Sequence, residues 1–201
     1  MGYTELLDNL LANTLALSRT ARLGDTSADG RSGKPGSALS SENLKERVRL
    51  GAAAATGVLL AAKEHDLAYE DIAALLYPIL TDGIAVQGMY RSVATGKAHY
   101  GLPPERIQDA MSRFFAELEL RLSRRDEPVV VAAWIEYQID TVIHPYQDAC
   151  GRLGRALAAS VLWNADHALP VYGSREEYYS AMNKDWASFL AYYRTCFRGG
   201  T

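Results

Sequence analysis

His144-Pro-Tyr-Gln-Asp-Ala-Cys-Gly-Arg-Leu-Gly-Arg155 is the stretch that decides how this chain is read. It joins an apolar run, Val129 to Ile143, to a second run that begins near Gly151 and continues to about Asp166. His144-Pro145 must interrupt the first run, because the residue before a proline is pushed out of the α region. The second run is expected to be a helix. A helix N-terminus offers unpaired N–H groups and a positive dipole end, which suits phosphate. Arg152 in the first turn and Arg155 three residues on can project from that same end. Two cations there oppose the macrodipole unless an anion is nearby. Asp148 can offer carboxylate oxygens to a divalent metal, and His144 is a suitable general base at neutral pH. Together these residues form a kit for phosphoryl or nucleotidyl transfer. The same residues also admit a plainer reading: a His-Pro turn, a capping Asp148 and a solvated Arg-x-x-Arg face.

Outward from this stretch the chain reads as mainly helical. Upstream, Met1 to Arg22 carries leucines at helical spacing (Leu6, Leu7, Leu10, Leu11, Leu15, Leu17) and is expected to be an N-terminal helix. Residues 23–41 are rich in Gly, Ser and Asp and read as a flexible linker. Residues 42–201 then form the main domain, its core at about 85–190. Within it, Ser40 or Ser41 caps a helix from Glu42 to Glu64. A second helix from Ala68 ends or kinks near Tyr77, before Pro78. Tyr90 to Tyr100 suggests a short hairpin turning at Thr95-Gly96-Lys97. Pro103-Pro104 opens a helix from Glu105 to Leu122. Val129 to Ile143 is either one buried helix or a strand followed by a helix. Two shorter helices, Arg175–Met182 and Lys184–Phe197, complete the chain.

With 201 residues, 48% apolar composition and a net charge of −3, the sequence fits one ordinary globular domain. The charge balance points to neither a nucleic-acid nor a membrane partner. No apolar run reaches the roughly 18 residues needed to span a bilayer. Cys150 and Cys196 lack metal-ligand spacing, and a disulfide framework is not expected, so a reducing cytoplasm is the default location. An exported effector fits as well, since some secretion signals leave no such trace.

The motif resembles that of the Fic (Fic/Doc, or Fido) family, His-x-Phe-x-Asp/Glu-Gly-Asn-Gly-Arg-x-x-Arg. His144, Asp148, Gly151, Arg152 and Arg155 match in register, with Tyr146 where the family has Phe. Gly88-Met-Tyr-Arg91 resembles the segment before the family's flap, and Tyr100-Gly-Leu-Pro-Pro104 the segment after it. Ala132-Ala133 resembles the helix leading into the motif, and Tyr178-Tyr179 a tyrosine pair that follows it. The resemblance spans roughly Leu44 to Leu190 and implies a Fic-fold helical bundle with a small β-hairpin flap. It implies transfer of AMP from ATP, with Mg²⁺, to a protein hydroxyl. His144 would be the base and Asp148 the metal ligand. Ala149, Cys150, Gly151, Arg152 and Arg155 would contact phosphates. Tyr178 and Tyr179 would line the base pocket. Ser92, Val93, Ala94, Thr95, Gly96 and Lys97 would form a flap that seats the protein target by strand addition. A homodimer is compatible with the resemblance.

The sequence departs from the family pattern at two motif positions that matter, and at a third in the helix before it. Ala149 replaces the first Gly, which strains the loop by roughly 1 kcal/mol or more if φ there is positive; Ala also stands there in the Doc branch, which phosphorylates. Cys150 replaces an Asn whose amide helps hold the phosphate under attack, and a thiol is a weak donor. Beside two arginines at a helix N-terminus Cys150 reads as a low-pKa nucleophile or redox-sensitive thiol, or else as a small buried filler. Asp140, where the family commonly has an aromatic, either orients His144 or faces solvent. Glu42-Asn43 resembles the self-inhibitory helix of many relatives, although Ser37 lies one position too far upstream, and implies a Glu42–Arg155 clamp. Three functions follow: an AMP transferase with an altered anion hole, a catalytically weak Fic-fold binding module, and a Fic-fold enzyme with another donor, acceptor or reaction.

Overall fold

The computed structural model describes residues 2–17, 41–80, 90–92, 94 and 101–197; the side chains of 41–45 and 47 lie outside that description. It contains α1 (Tyr3–Leu17), α2 (Ser41–His65), α3 (Tyr69–Leu80), α4 (Ile107–Ser123), α5 (Pro128–Tyr137), α6 (Cys150–Asn164), α7 (Arg175–Lys184) and α8 (Trp186–Thr195). A 3₁₀ turn, Pro104–Arg106, leads into α4, and a π-turn, Gln138–Ile143, continues α5. No strand occurs among the described residues. The fold is thus the expected helical bundle. Most of the expected hairpin falls outside the described residues; Ser92 and Ala94, which are described, are exposed and not in a strand.

The local chemistry explains most boundaries. In α4 the buried Ile107, Ala110, Met111, Phe114, Phe115 and Leu118 recur at three- and four-residue spacing. Pro104 and Pro128 stand at helix starts, where a missing N–H costs nothing. The Ser174 side chain caps α7 by accepting from the Glu177 N–H at 3.2 Å. Asp185 caps α8 by accepting from the Ser188 N–H at 2.7 Å. Three helices end on left-handed residues other than glycine: Asp66, Arg125 and Asp166 have φ of 50°, 58° and 52°. After each, the next N–H reaches back five residues, as from Leu67 to the Ala62 carbonyl at 3.0 Å. These are Schellman closures.

Two expectations are corrected. α3 does not stop near Tyr77 but continues through Pro78 to Leu80. The missing bond falls in the last turn, and burial of Leu76, Tyr77 and Leu80 keeps that turn against the core. The strand-then-helix alternative for Val129 to Ile143 gives way to one helix that changes its winding at Gln138.

α6 is the centre of the bundle. From Leu153 to Trp163 every residue is buried, because α1, α2, α3, α5 and the π-turn all pack against it. At Gly154 a Cβ would stand 3.4 Å from the Glu136 Cα, so α5 approaches α6 closely there. Asn13 of α1 ties the far end of the chain to this core. Its amide donates to the Pro170 carbonyl at 2.9 Å and its oxygen accepts from the Tyr172 N–H at 3.2 Å.

Candidate active site

The π-turn delivers His144. Winding with one extra residue per turn re-aims the residues that follow, and such turns recur at functional sites. The chain leaves the turn with His144 left-handed (φ 45°, ψ 63°). The ring Nδ1 lies 3.0 Å from the Asp140 carbonyl oxygen. A carbonyl only accepts, so Nδ1 carries the proton and Nε2 the lone pair. Burial holds the imidazole below its ordinary 6.5, against the opposing pull of the Asp140 carbonyl and carboxylate. His144 is therefore neutral at pH 7, in the tautomer a general base needs. Asp140 is buried, with Oδ1 4.0 Å from Nδ1. It does not face solvent, and the hydrogen bond that orients the ring is accepted by its main-chain carbonyl.

Backbone contacts fix this loop from the side. The Arg91 N–H donates to the Pro145 carbonyl at 2.9 Å, and its Nε to the His144 carbonyl at 2.7 Å. Its Nη2 also donates to the Leu102 carbonyl. The Leu102 N–H returns a bond to the Ile143 carbonyl at 3.1 Å. Gly101 (φ +79°) is required here, since a Cβ would come within 2.7 Å of the His144 Cβ. Beneath the loop, the fully buried Tyr146 stacks on Tyr77 at 4.2 Å, with Tyr90 at 5.6 Å.

The step into α6 holds both motif departures. Ala149 has φ +67°, so the strain foreseen for a side chain at this position is present. No side chain caps the first turn of α6 through Ala149. Asp148 stands at the rim, its side chain 69% exposed. Oδ1 accepts from the Ala149 N–H at 2.7 Å and Oδ2 from Arg152 Nη2 at 2.8 Å. Cys150 turns the other way. Its thiol accepts from the Tyr146 N–H and donates to the Tyr146 carbonyl, both at 3.3 Å. Burial, with the nearby Asp140 carboxylate, pushes that thiol up. The low-pKa nucleophile reading of Cys150 is therefore corrected: two arginines in sequence do not lower the pKa of a thiol folded into the core. Gly151 is needed for closeness, since a Cβ would meet Asp140 Oδ2 at 2.9 Å and Arg155 Nη1 at 3.0 Å.

Arg155 lies under this turn and is 7% exposed. Burial disfavours its charge, but Tyr178, Tyr179, Glu136 and Asp140 more than compensate. Tyr178 is wholly buried, its hydroxyl donating to Glu136 Oε2 at 2.7 Å. A ring so enclosed cannot line an open base pocket, and that role is withdrawn for Tyr178 on grounds of packing. Tyr179 is half-buried, with the Arg175 guanidinium 4.3 Å from its ring centre. Glu136 itself was missed in sequence. Its signal was a carboxylate, one of two with Asp140, inside the apolar run Val129 to Ile143.

The structure thus brings His144, Asp148, Gly151, Arg152 and Arg155 to one end of α6, with Ala149 and Cys150 forming its entry. The flap residues Val93, Thr95, Gly96 and Lys97 lie outside the described residues, as does the Glu42 side chain. Among the described residues no group of three His, Cys, Asp or Glu side chains could hold a metal by itself. No helix among them is long and apolar enough to cross a membrane.

The site is thus a helical bundle whose π-turn ends on His144 and whose next helix, α6, starts without a side-chain cap. The Fic/DOC family profile matches residues 64–162, which include His144, Asp148, Gly151, Arg152 and Arg155. Two solved structures share the fold. Fic-1 (residues 134–508) from C. elegans superposes with a TM-score of 0.62 at 21% identity, covering 96% of this chain and 58% of that one. A Fic domain containing signaling protein from Bacteroides thetaiotaomicron gives a TM-score of 0.60 at 19% identity, covering 97% and 83%. Residues 64–162 thus match the Fic/DOC family, and the chain shares the fold of these two Fic structures. It spans little more than half of the C. elegans chain it matches. A search of curated protein sequences gives no match.

Proposed function

We propose that this chain transfers AMP from ATP to a hydroxyl of a protein target. The observation that carries the reading is the tautomer of His144: Nδ1–H is held on the Asp140 carbonyl, so Nε2 can accept a proton beside an uncapped helix end. The acceptor hydroxyl would give its proton to Nε2 as its oxygen bonds to the α-phosphorus. The bond from that phosphorus to the bridging oxygen would break, and pyrophosphate would leave. The N–H groups at the start of α6, with Arg152 and Arg155, would hold the polyphosphate. Asp148 fits Mg²⁺, since that ion commonly takes one or two carboxylates and fills its remaining positions with phosphate oxygens and water. It would then have to exchange Arg152 for the metal. Bound there, Mg²⁺ would neutralise charge on the phosphates. The flap, Ser92 to Lys97, would seat the target.

Cys150 favours a second reading, a nucleotide-binding module that transfers slowly. Its side chain is spent on the Tyr146 backbone and presents no donor to a phosphate. Losing one such donor costs on the order of a hundredfold in rate elsewhere. Incubation with α-labelled ATP and Mg²⁺ separates the two. Label transfer that His144→Ala abolishes supports the transferase. Transfer by Cys150→Asn alone supports the weakened module, and transfer that survives His144→Ala would sink the assigned base.

A further inference from the structure

Glu136 plays no part in the motif or in the transfer proposed above, yet it is built into the same site from behind. It is 1% exposed and lies where α5 meets Gly154 of α6. Two hydroxyls hold its carboxylate: Tyr172 donates to Oε1 at 2.5 Å and Tyr178 to Oε2 at 2.7 Å. The Tyr178 ring centre is 6.0 Å from the Arg155 guanidinium carbon. Arg155 Nε and Nη1 are buried without a hydrogen-bond partner among the described residues. Nη1 reaches to 3.0 Å from where a Cβ on Gly151 would stand, in the first turn of α6. Tyr178 thus touches both the buried Glu136 carboxylate and the buried, under-bonded Arg155 guanidinium, behind the helix end that would receive the polyphosphate.

We propose that Glu136 is a positioning residue that couples a proton to nucleotide binding: ionised, it competes with polyphosphate for the charge of Arg155, and protonated, it releases that charge to the ligand. This rests on the nucleotide reading above and assigns the regulation of that site. Every element packed around Glu136 contributes a group. Asp140 comes from the π-turn, Arg155 from α6, Tyr172 from the segment before α7, Tyr178 from α7, and Tyr193 and Cys196 from α8 and its end. Burial is the largest influence and raises the carboxyl to about 7; Arg155, Tyr172 and Tyr178 pull it back and Asp140 adds to the rise. The proton is thus exchanged near neutrality. Binding is reciprocal, so a polyphosphate that draws on Arg155 must raise the affinity of Glu136 for its proton, and the protein takes up a proton on binding.

The test has a ligand-free arm and a nucleotide arm. In the full chain with ¹³C-labelled glutamate, the Glu136 carboxyl is assigned by its loss in Glu136→Gln. It should titrate near neutrality, and Arg155→Gln should move that titration upward. Titration in the ordinary range of an exposed glutamate, or no response to Arg155→Gln, overturns the proposal whatever the nucleotide does. In the second arm ATP is titrated by calorimetry at pH 6 and pH 8 in two buffers of different ionisation enthalpy. For a one-unit rise on binding, affinity should be about fivefold greater at pH 6 than at pH 8, relative to Glu136→Gln. Taking the ratio to that variant cancels the titration of ATP and His144. Binding without proton uptake, or with the same pH ratio in Glu136→Gln, overturns the proposal. If ATP fails to bind while the carboxyl still responds to Arg155→Gln, the nucleotide reading is what has failed, and the coupling falls with it.

Discussion

Replacing Glu136 with Gln should change the pH dependence of stability, and its size follows from the cluster. Burial raises the folded carboxyl from its ordinary 4.5 to about 7. Between those values the unfolded chain has lost the proton that the folded chain keeps, so stability falls as pH rises. The contribution is fully present below 4.5 and is lost as pH passes through about 7. From pH 5 to pH 8 the linkage amounts to about 2.5 kcal/mol, at 1.36 kcal/mol per unit. Gln keeps the shape and a carbonyl for one tyrosine hydroxyl but has no proton to lose. The stability of Glu136→Gln relative to wild type should therefore improve by about 2.5 kcal/mol between pH 5 and pH 8. Urea unfolding of both proteins at each pH measures it, and the double difference removes every other titrating group not coupled to this site. A relative stability that stays constant with pH, to within about 0.5 kcal/mol, would refute the reasoning.

Gly101→Ala combines a positive φ with a 2.7 Å approach to the His144 Cβ; it should cost about 2 kcal/mol or more and shift the His144 ring resonances, read by denaturation and NMR. Tyr146→Phe removes a buried hydroxyl that has no partner among the described residues and keeps the stack on Tyr77. It should be neutral or stabilising by up to about 1 kcal/mol, and a clear loss in a thermal melt would show that the hydroxyl is bonded. Arg125→Gly relieves a left-handed, exposed helix terminus and should gain about 0.5–1 kcal/mol, seen as a rise of a few degrees in Tm. Cys150→Ala leaves both backbone groups of Tyr146 unpaired and should cost about 1–3 kcal/mol in urea unfolding; an unchanged midpoint would show that the thiol does not close the loop.

Much of the bundle was legible because its apolar residues recur at helical spacing, as in α4, and because prolines and small polar residues punctuate the helix starts. The ends were less legible. Asp66, Arg125 and Asp166 close helices in a conformation usually given to glycine, so no glycine announced them. α3 outran Pro78 because tertiary burial of Leu80 outweighed one missing bond. The π-turn had no specific local signal: Gln138 to Ile143 is more polar than α5 before it, but neither proline nor glycine marks the change of winding. In the site, His144, Asp148 and Arg152 could be read from the motif because they lie within one short segment of the chain. Glu136 and Tyr172 are 36 residues apart and meet only through packing, which a linear pattern does not carry.

The two departures from the family motif also gain a common physical account. A loop that must turn from a π-turn into a helix within six residues needs its left-handed step and something to close it. Ala149 takes the left-handed step at a cost of about 1–2 kcal/mol. Its buried methyl returns part of that cost. Cys150 supplies the closure by bonding both backbone groups of Tyr146. Side chains that complete the loop's interior are not available to a ligand outside it. If the chain binds a nucleotide as proposed, phosphate contacts would fall on the backbone N–H groups of α6 and on Arg152 and Arg155. The charge state behind Arg155 would then matter more in this chain than it would with an amide at position 150. With fewer neutral donors at the helix end, a larger share of the anion's affinity would come from the guanidinium, and that share is what the proposed role of Glu136 would add or withdraw.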